Sequence, residues 1–421
     1  MTLAGGLNST FSSLRVRNYR IFFLTQVVST NGTWMQRVAQ FWLVLHLTGS
    51  GVALGVTSAL QFVPVLLLSS WGGLIADRGD KRVLLVATQT ASSVLSFTLA
   101  ALTLTGVVQL WMVYVLAFCL GIVSVVDSPT RQSFVTEMVG ARQLPNAIGL
   151  NSAVFTSARM LGPAIAGVVI TLVGTGWCFL FNGFSFLPVV AGLLLMRPSE
   201  LHRTQPAPRT RGQIVQGVRY AWSRTEIRLP LLLMLVIGTL AYNFNVVLPL
   251  LARFTFQSGA STFGALMSML GVGALVGALA SAARAKPTQR MLAFACLAFG
   301  TLLLVAAVAQ SLLLEMIVLI PVGFAMVTSQ ATANSLIQTN SDAALRGRVM
   351  ALFITAWVGT TPIGAPIVGW VCQEFGPRSG LAVGGAATVI AALVAIRMLP
   401  KRHTLEQGRG QTRMVDPAVS E

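Results

Sequence analysis

Charge is what this chain has least of. Charged residues make up 10% of its 421 positions, and only 12 are acidic against 29 Lys and Arg. A soluble chain of this size carries roughly a quarter charged residues, so a water-exposed globular fold is excluded. Histidine is almost absent: His46, His202 and His403 lie far apart, and neither His-Glu-x-x-His nor Gly-x-x-x-x-Gly-Lys occurs. No metal site, cofactor or enzymatic activity is therefore expected. Cys119, Cys178, Cys296 and Cys372 fall in or beside separate apolar runs, which gives neither a metal spacing nor a disulfide frame. A cleavable signal peptide is not expected either. Met1–Ser13 is polar and glycine-rich, and the first apolar run is too long for a signal core.

What the chain has is apolar length. Hydrophobic residues reach 54% and the mean hydropathy is +0.75. A membrane span takes about 20 apolar residues, and twelve such runs are readable: 20–46, 52–76, 82–105, 109–128, 146–173, 177–197, 229–252, 261–283, 289–309, 312–334, 348–373 and 379–399. Residues 128–145 are expected to continue the fourth helix before the chain turns. The expected fold class is an all-α membrane protein with twelve transmembrane helices.

The connectors alternate in charge. Those near Leu47–Gly51, Thr105–Gln109 and Gly174–Gly176 carry none, whereas the others hold Arg78/Lys81/Arg82, Arg131/Arg142, Arg284/Lys286/Arg290 and Arg346/Arg348. Only Arg253 and Arg378 lie in connectors of the charge-poor side, and Arg37 and Arg159 lie inside runs, so 25 of the 29 cations share one side. The positive-inside rule makes that side cytoplasmic, with both termini on it. The formal charge of +17 then expresses topology and attraction to anionic lipid headgroups, not nucleic-acid binding.

The two halves echo one another at an offset of about 203 residues. Gly121-Ile-Val-Ser answers Gly323-Phe-Ala-Met, Arg131-Gln-Ser-Phe-Val answers Ala333-Asn-Ser-Leu-Ile, and Gly162-Pro-Ala-Ile-Ala-Gly167 answers Ala365-Pro-Ile-Val-Gly369. Duplicated transporters place their site between the halves near the midplane. The expected divisions are 1–197, a six-helix half; 198–228, a basic linker; 229–400, the second half; and 401–421, a polar tail. The linker is rich in proline and arginine (Arg203, Pro206, Pro208, Arg209, Arg211). An interfacial helix is expected to follow, with Ile214, Val218, Ala221 and Trp222 on one face and Arg219 and Arg224 towards the other.

After span two the chain reads Gly73-Leu-Ile-Ala-Asp77-Arg78-Gly-Asp80-Lys81-Arg82. This resembles the signature loop of the major facilitator superfamily, with Asp80 where that family usually has glycine and Lys81 where it has arginine. The resemblance covers about Arg15 to Pro400. It implies a conformational latch of Gly73, Asp77, Arg78, Lys81, Arg82 and Asp127. In it Asp77 faces the positive N-terminus of span eleven and Lys81 reaches Asp127. The second half lacks acids from Gly277 to Arg290, so any such latch is one-sided. Span five carries Gly149, Ala158, Gly162, Pro163, Ala166 and Gly167, which resemble the superfamily's antiporter motif. Asp127-Ser-Pro-Thr-Arg-Gln-Ser-Phe-Val, Leu144-Pro-Asn-Ala-Ile-Gly-Leu-Asn-Ser and Ala158-Arg-Met-Leu-Gly-Pro are similar to the bacterial branch that holds the enterobactin exporter and macrolide efflux proteins. That resemblance implies export of a siderophore- or antibiotic-like amphiphile from the bacterial cytoplasm, across the inner membrane.

Polar residues inside spans mark the expected cavity. Gln26, Thr30, Thr33, Arg37 and Gln40 recur on one face of span one. Arg159 lies in span five, Tyr242 and Asn243 in span seven, and Gln330, Asn334 and Gln338 in span ten. No acid is expected in the middle third of a span, so the cavity should favour anionic or neutral amphiphiles. Asp127 and Glu315 are the candidate proton carriers, and a single chain is expected to function as a monomer. An importer on the same scaffold and a non-transporting receptor or scaffold remain the alternative readings.

Overall fold

The computed structural model describes residues 11–202, 213–283, 287–342 and 345–399. The basic linker residues 203–211, Arg284, Lys286 and the tail from Lys401 lie outside the described residues, as does the side chain of Ile214.

Among the described residues, ten helical stretches are long and apolar enough to cross a bilayer. One of them, the 64-residue Leu110–Val173, holds spans four and five, because Gly140 breaks it with φ 68° and ψ 173°. The 32-residue Arg17–Thr48 is span one; its polar stripe dilutes its apolar content, yet it is ample for a roughly 30 Å hydrocarbon core. Twelve spans result. Spans two and three are Gly51–Arg78 and Lys81–Leu104. Span six is Thr175–Leu194. Spans seven to twelve are Thr225–Thr255, Ala260–Ala282, Gln289–Ala307, Leu312–Asn340, Arg346–Phe375 and Pro377–Met398.

Local chemistry sets the ends. Gly49, at φ 64°, closes span one in the left-handed conformation that glycine adopts freely. The next residue, Ser50, caps span two by accepting from the Ala53 amide at 3.2 Å. Asp80 caps span three, taking the amides of Arg82 and Val83 at 3.0 and 3.2 Å. This accounts for the aspartate where the signature loop usually has glycine.

Small residues set the packing, as expected where water supplies no drive to bring helices together. A Cβ on Gly121 would stand 2.5 Å from the Gln61 carbonyl of span two. Its counterpart Gly323 crowds the Leu270 carbonyl of span eight. Gly167 of span five meets Ser261 of span eight, and Gly55 of span two meets Ala365 of span eleven. The duplicated motifs thus serve duplicated crossings: two on four and eight on ten within halves, five on eight and two on eleven between them.

Spans seven and eleven are interrupted. Span seven turns π-helical over Ile237–Ala241 and breaks at Tyr242–Asn243, and span eleven breaks between Trp357 and Thr361. The breaks face each other: the Tyr242 and Trp357 rings lie 4.5 Å apart.

The linker follows its expected course in part. Helix Gln213–Ser223 docks on the start of span eleven, where a Cβ on Gly217 would stand 3.0 Å from the Arg348 Cβ. Arg224 pairs with Asp342 at 3.3 Å, and the Tyr220 hydroxyl accepts from the Asp342 amide at 3.0 Å. The expected apolar face divides: Ala221 is buried, whereas Val218 and Trp222 are exposed. Docking uses the Gly217–Ala221 side, one residue round the helix from the Val218–Trp222 pair.

Candidate functional site

A cavity of about 840 Å³ lies between the halves. Spans one, four, five, eight and ten line it, through residues running from Arg37 and Trp34 down to Thr136, Leu144 and Ile148 near the basic face. Hydrogen bonds joining described residues of the two halves lie at or beyond the level of Arg159 and Met160, on the charge-poor side. Ser50 donates to Gln373 at 2.7 Å, Arg253 to the Leu45 carbonyl at 2.8 Å, and Ser268 to the Met160 carbonyl at 2.8 Å. Towards the basic face the lining instead runs on to Thr136, Leu144 and Ile148. The cavity therefore narrows towards the charge-poor side and widens towards the basic side.

Of the cavity residues expected from the sequence, Gln26, Thr30, Thr33, Arg37, Arg159 and Gln330 line it. Gln40 does not; it lines a neighbouring cleft of about 140 Å³ with Gln36, Gln61, Gln89 and Asn182. Asn334 accepts from Gln338 at 3.0 Å outside the cavity lining. Asn243 is buried and donates to the Thr239 carbonyl at 2.8 Å, which satisfies the break in span seven. Tyr242 lies outside the lining and reaches the site through the two arginines: the Arg159 guanidinium carbon stands 5.6 Å from its ring centre, and Arg37 interacts with it electrostatically.

The expectation of a cavity without a carboxylate is corrected. Asp127 lines it, because span four continues to Gly140 and so carries Asp127 at mid-height. Its Oδ2 accepts from Arg131 Nη2 at 2.6 Å, and its Oδ1 from Thr88 Oγ1 at 2.9 Å and Gln89 Nε2 at 2.7 Å. Arg131 also donates to Gln26 Oε1. Arg131, read from the sequence as a connector charge, is a cavity residue; its i+4 spacing from Asp127 was the available signal. Three arginines against one aspartate leave the lining net positive.

The second correction concerns Lys81. Its partner is Glu137, at 2.5 Å with both side chains about nine-tenths buried, and not Asp127. Ten helical residues separate the two acids, about 15 Å along span four, and only Glu137 is level with the loop after span two. Asp77 and Arg78 sit exposed beside this pair, on a cleft of about 710 Å³. Arg82 donates to the Leu193 and Leu194 carbonyls at 2.6 and 2.7 Å, tying the loop to the end of span six. His202 donates its amide to the Glu137 carbonyl at 2.8 Å, so the linker begins against the same turn. Besides Gly121 on Gln61, spans two and four approach tightly at Gly72, which crowds the Val125 carbonyl and directly precedes Gly73.

In span five, Gly162 faces the Trp34 Cβ, Gly167 faces span eight, and the Pro163 carbonyl abuts Gly264. Gly149 departs from the expectation: a Cβ there meets nothing within 4 Å. Glu315 is 1% exposed in the first turn of span ten, far from the cavity lining, and its Oε1 has no hydrogen-bond partner among the described residues.

Trp34 carries no signal in the sequence, because apolar runs hide single aromatics. It packs edge-on against Phe155 at 5.7 Å and lies under both Arg37 and Arg159, at 4.6 and 5.9 Å.

Twelve spans in two duplicated halves around a central cavity define a transporter of the major facilitator type. The chain belongs to the transmembrane secretion effector family, whose sequence profile matches residues 8–421. It is 25% identical to the staphyloferrin A transporter of Staphylococcus aureus, over 89% of this chain and 94% of that one. It is 27% identical to the multidrug efflux pump Tap of Mycobacterium tuberculosis, over 90% and 93%, and 23% identical to the enterobactin exporter EntS of Citrobacter koseri, over 92% and 93%. In fold it is similar to a bacterial homologue of the lysosomal transporter Spinster, inward-facing and unoccupied, with TM-score 0.69 over 90% of this chain and 95% of that one at 13% identity. The family and these relatives are membrane transporters, not enzymes.

Proposed function

We propose that the protein exports a small amphiphile, siderophore- or antibiotic-like, from the cytoplasm by alternating access, working as a monomer in the bacterial inner membrane. The observation that carries this reading is the cavity of about 840 Å³ that widens towards the basic face, the side the positive-inside rule assigns to the cytoplasm. The names of the relatives, a siderophore exporter and a multidrug efflux pump among them, supply the direction. The net positive lining favours anionic or neutral cargo over organic cations.

Protons are the proposed coupling ion. Asp127 is the favoured carrier because it stands in the cavity wall, where breaking its bonds to Arg131, Thr88 and Gln89 would link protonation to cargo. Glu315 is the alternative carrier, buried at the charge-poor end. The loop after span two acts as a latch for the outward-facing state, with Asp77 as its carboxylate. The Lys81–Glu137 pair already exists with the cavity wide at the basic face, so that pair serves as a fixed brace of the first half.

Efflux from expressing cells, with and without a proton uncoupler, tests this. Uncoupler-sensitive loss of an anionic siderophore is expected. Accumulation in place of loss would establish the importer, and no movement of any cargo would favour the scaffold. Asp127→Asn should abolish the uncoupler-sensitive part while Glu315→Gln retains it; the reverse pattern moves the proton site to span ten.

A further inference from the structure

We propose that Arg37 and Arg159 form a two-point receptor for a dianionic head group, and that the cargo is a molecule bearing two ionised acid groups on a flat apolar body. This rests on the reading that cargo enters the central cavity.

The arginines differ in where their donors go. Arg131 is held by Asp127 and Gln26, Arg82 by two carbonyls, Arg224 by Asp342, Arg253 by the Leu45 carbonyl and Arg378 by the Ala309 carbonyl. Arg37 and Arg159 differ. Among the described residues Arg37 has no hydrogen bond or ion pair; it meets the Trp34 ring and lies close enough to Tyr242 and Arg159 to interact with them electrostatically, and Arg159 meets the Trp34 and Tyr242 rings and the Met326 sulfur at 3.7 Å. A guanidinium offers five donors in a planar fork that suits carboxylates, and rings and a thioether engage none of them strongly. A guanidinium this deep in a membrane protein without a carboxylate or carbonyl is costly unless it faces water or a ligand. Both line the cavity.

Three further observations narrow the ligand. Both guanidiniums approach one ring, so they stand no further apart than the sum of their two distances to it, within reach of one small diacid. They repel each other, and a bound dianion would relieve that repulsion. The acid in the same wall, Asp127, is already bonded to Arg131, Thr88 and Gln89, so it does not neutralise them. Trp34 and Phe155, in the same lining, meanwhile offer aromatic surface for a planar body.

The pair also links binding to movement. Arg159 belongs to the first half, whereas its neighbours Tyr242 and Met326 belong to the second. An anion that draws Arg159 off these groups changes contacts between halves. A ligand shifts a conformational equilibrium only through such differential contacts.

Binding to the purified full-length protein, followed by fluorescence anisotropy, tests the receptor. The probes are carboxyfluorescein, a polyanionic xanthene, and tetramethylrhodamine methyl ester, a cationic one. The wild type should prefer carboxyfluorescein. Arg37→Gln and Arg159→Gln should each weaken it about tenfold or more, the weight of a charged hydrogen bond, without weakening the cationic dye. Arg37→Lys, which keeps the charge, should bind carboxyfluorescein more tightly than Arg37→Gln. A wild type without that preference, or variants that lose both dyes equally, would overturn the proposal. Efflux of the same dyes from cells separates the two readings. Binding of the anion without extrusion defeats export and leaves the receptor standing; extrusion of the cation without anion binding does the opposite.

Discussion

At the scale of single residues, Lys81 shows what a motif leaves open. The loop pattern calls for a carboxylate partner but does not say which turn of span four supplies it. That depends on how far the helix runs past the apolar stretch, and Gly140, not the hydropathy, decides it. Burial makes the resulting pair with Glu137 consequential. Removing one partner strands a charge, at a cost of about 3 kcal/mol or more, whereas replacing both with apolar groups is close to neutral. Glu137→Gln should therefore lower the unfolding midpoint in detergent, and the Lys81→Met/Glu137→Leu double variant should recover most of it. A double variant as unstable as the single one would mean the pair does more than neutralise itself. Asp77→Asn, by contrast, should impair flux while leaving membrane insertion intact; transport at the wild-type rate would remove the latch.

At the scale of helices, much was legible. Span positions, the polar stripe of span one and the duplicated small-residue motifs follow from periodicity and from the thickness of the bilayer. What escaped was anything set by the neighbouring helix. Gly149 and Gly162 belong to one sequence pattern, yet one faces open space and the other presses on Trp34. Gly149→Ala should consequently be neutral or stabilise by up to about 1 kcal/mol through helix propensity. Gly364→Val, at the crossing where spans seven and eleven are both interrupted, has the Thr239 carbonyl in its way. It should cost about 1–3 kcal/mol as overpacking does, read as lower folded yield and a lower melting temperature. Equal behaviour of the two variants would contradict the packing described. The break at Tyr242–Asn243 carries no glycine or proline, so no local signal marked it, whereas Gly359 and Pro362 stand at the break after Trp357 and were the available signal there.

At the scale of the whole molecule, the two halves meet through Ser50–Gln373, Gly51–Gly369 and Gly167–Ser261 on the charge-poor side and enclose a cavity that widens to the other. The sequence foretold both halves through their repeat, but not which side stands open, since one chain must support both arrangements. If transport alternates between them, the charge-poor contacts must part in every cycle. Ser50→Cys/Gln373→Cys puts one thiol in the place of the hydroxyl and the other two bonds short of the amide oxygen that now lies 2.7 Å from it, a gap that a short bis-methanethiosulfonate reagent spans. The decisive measurement is efflux by this variant before cross-linking, after the reagent has joined the two thiols through disulfides, and after reduction. The account requires cross-linking to stop efflux and reduction to restore it. Undiminished efflux by fully cross-linked protein would show that cargo leaves without these halves separating, and would contradict it.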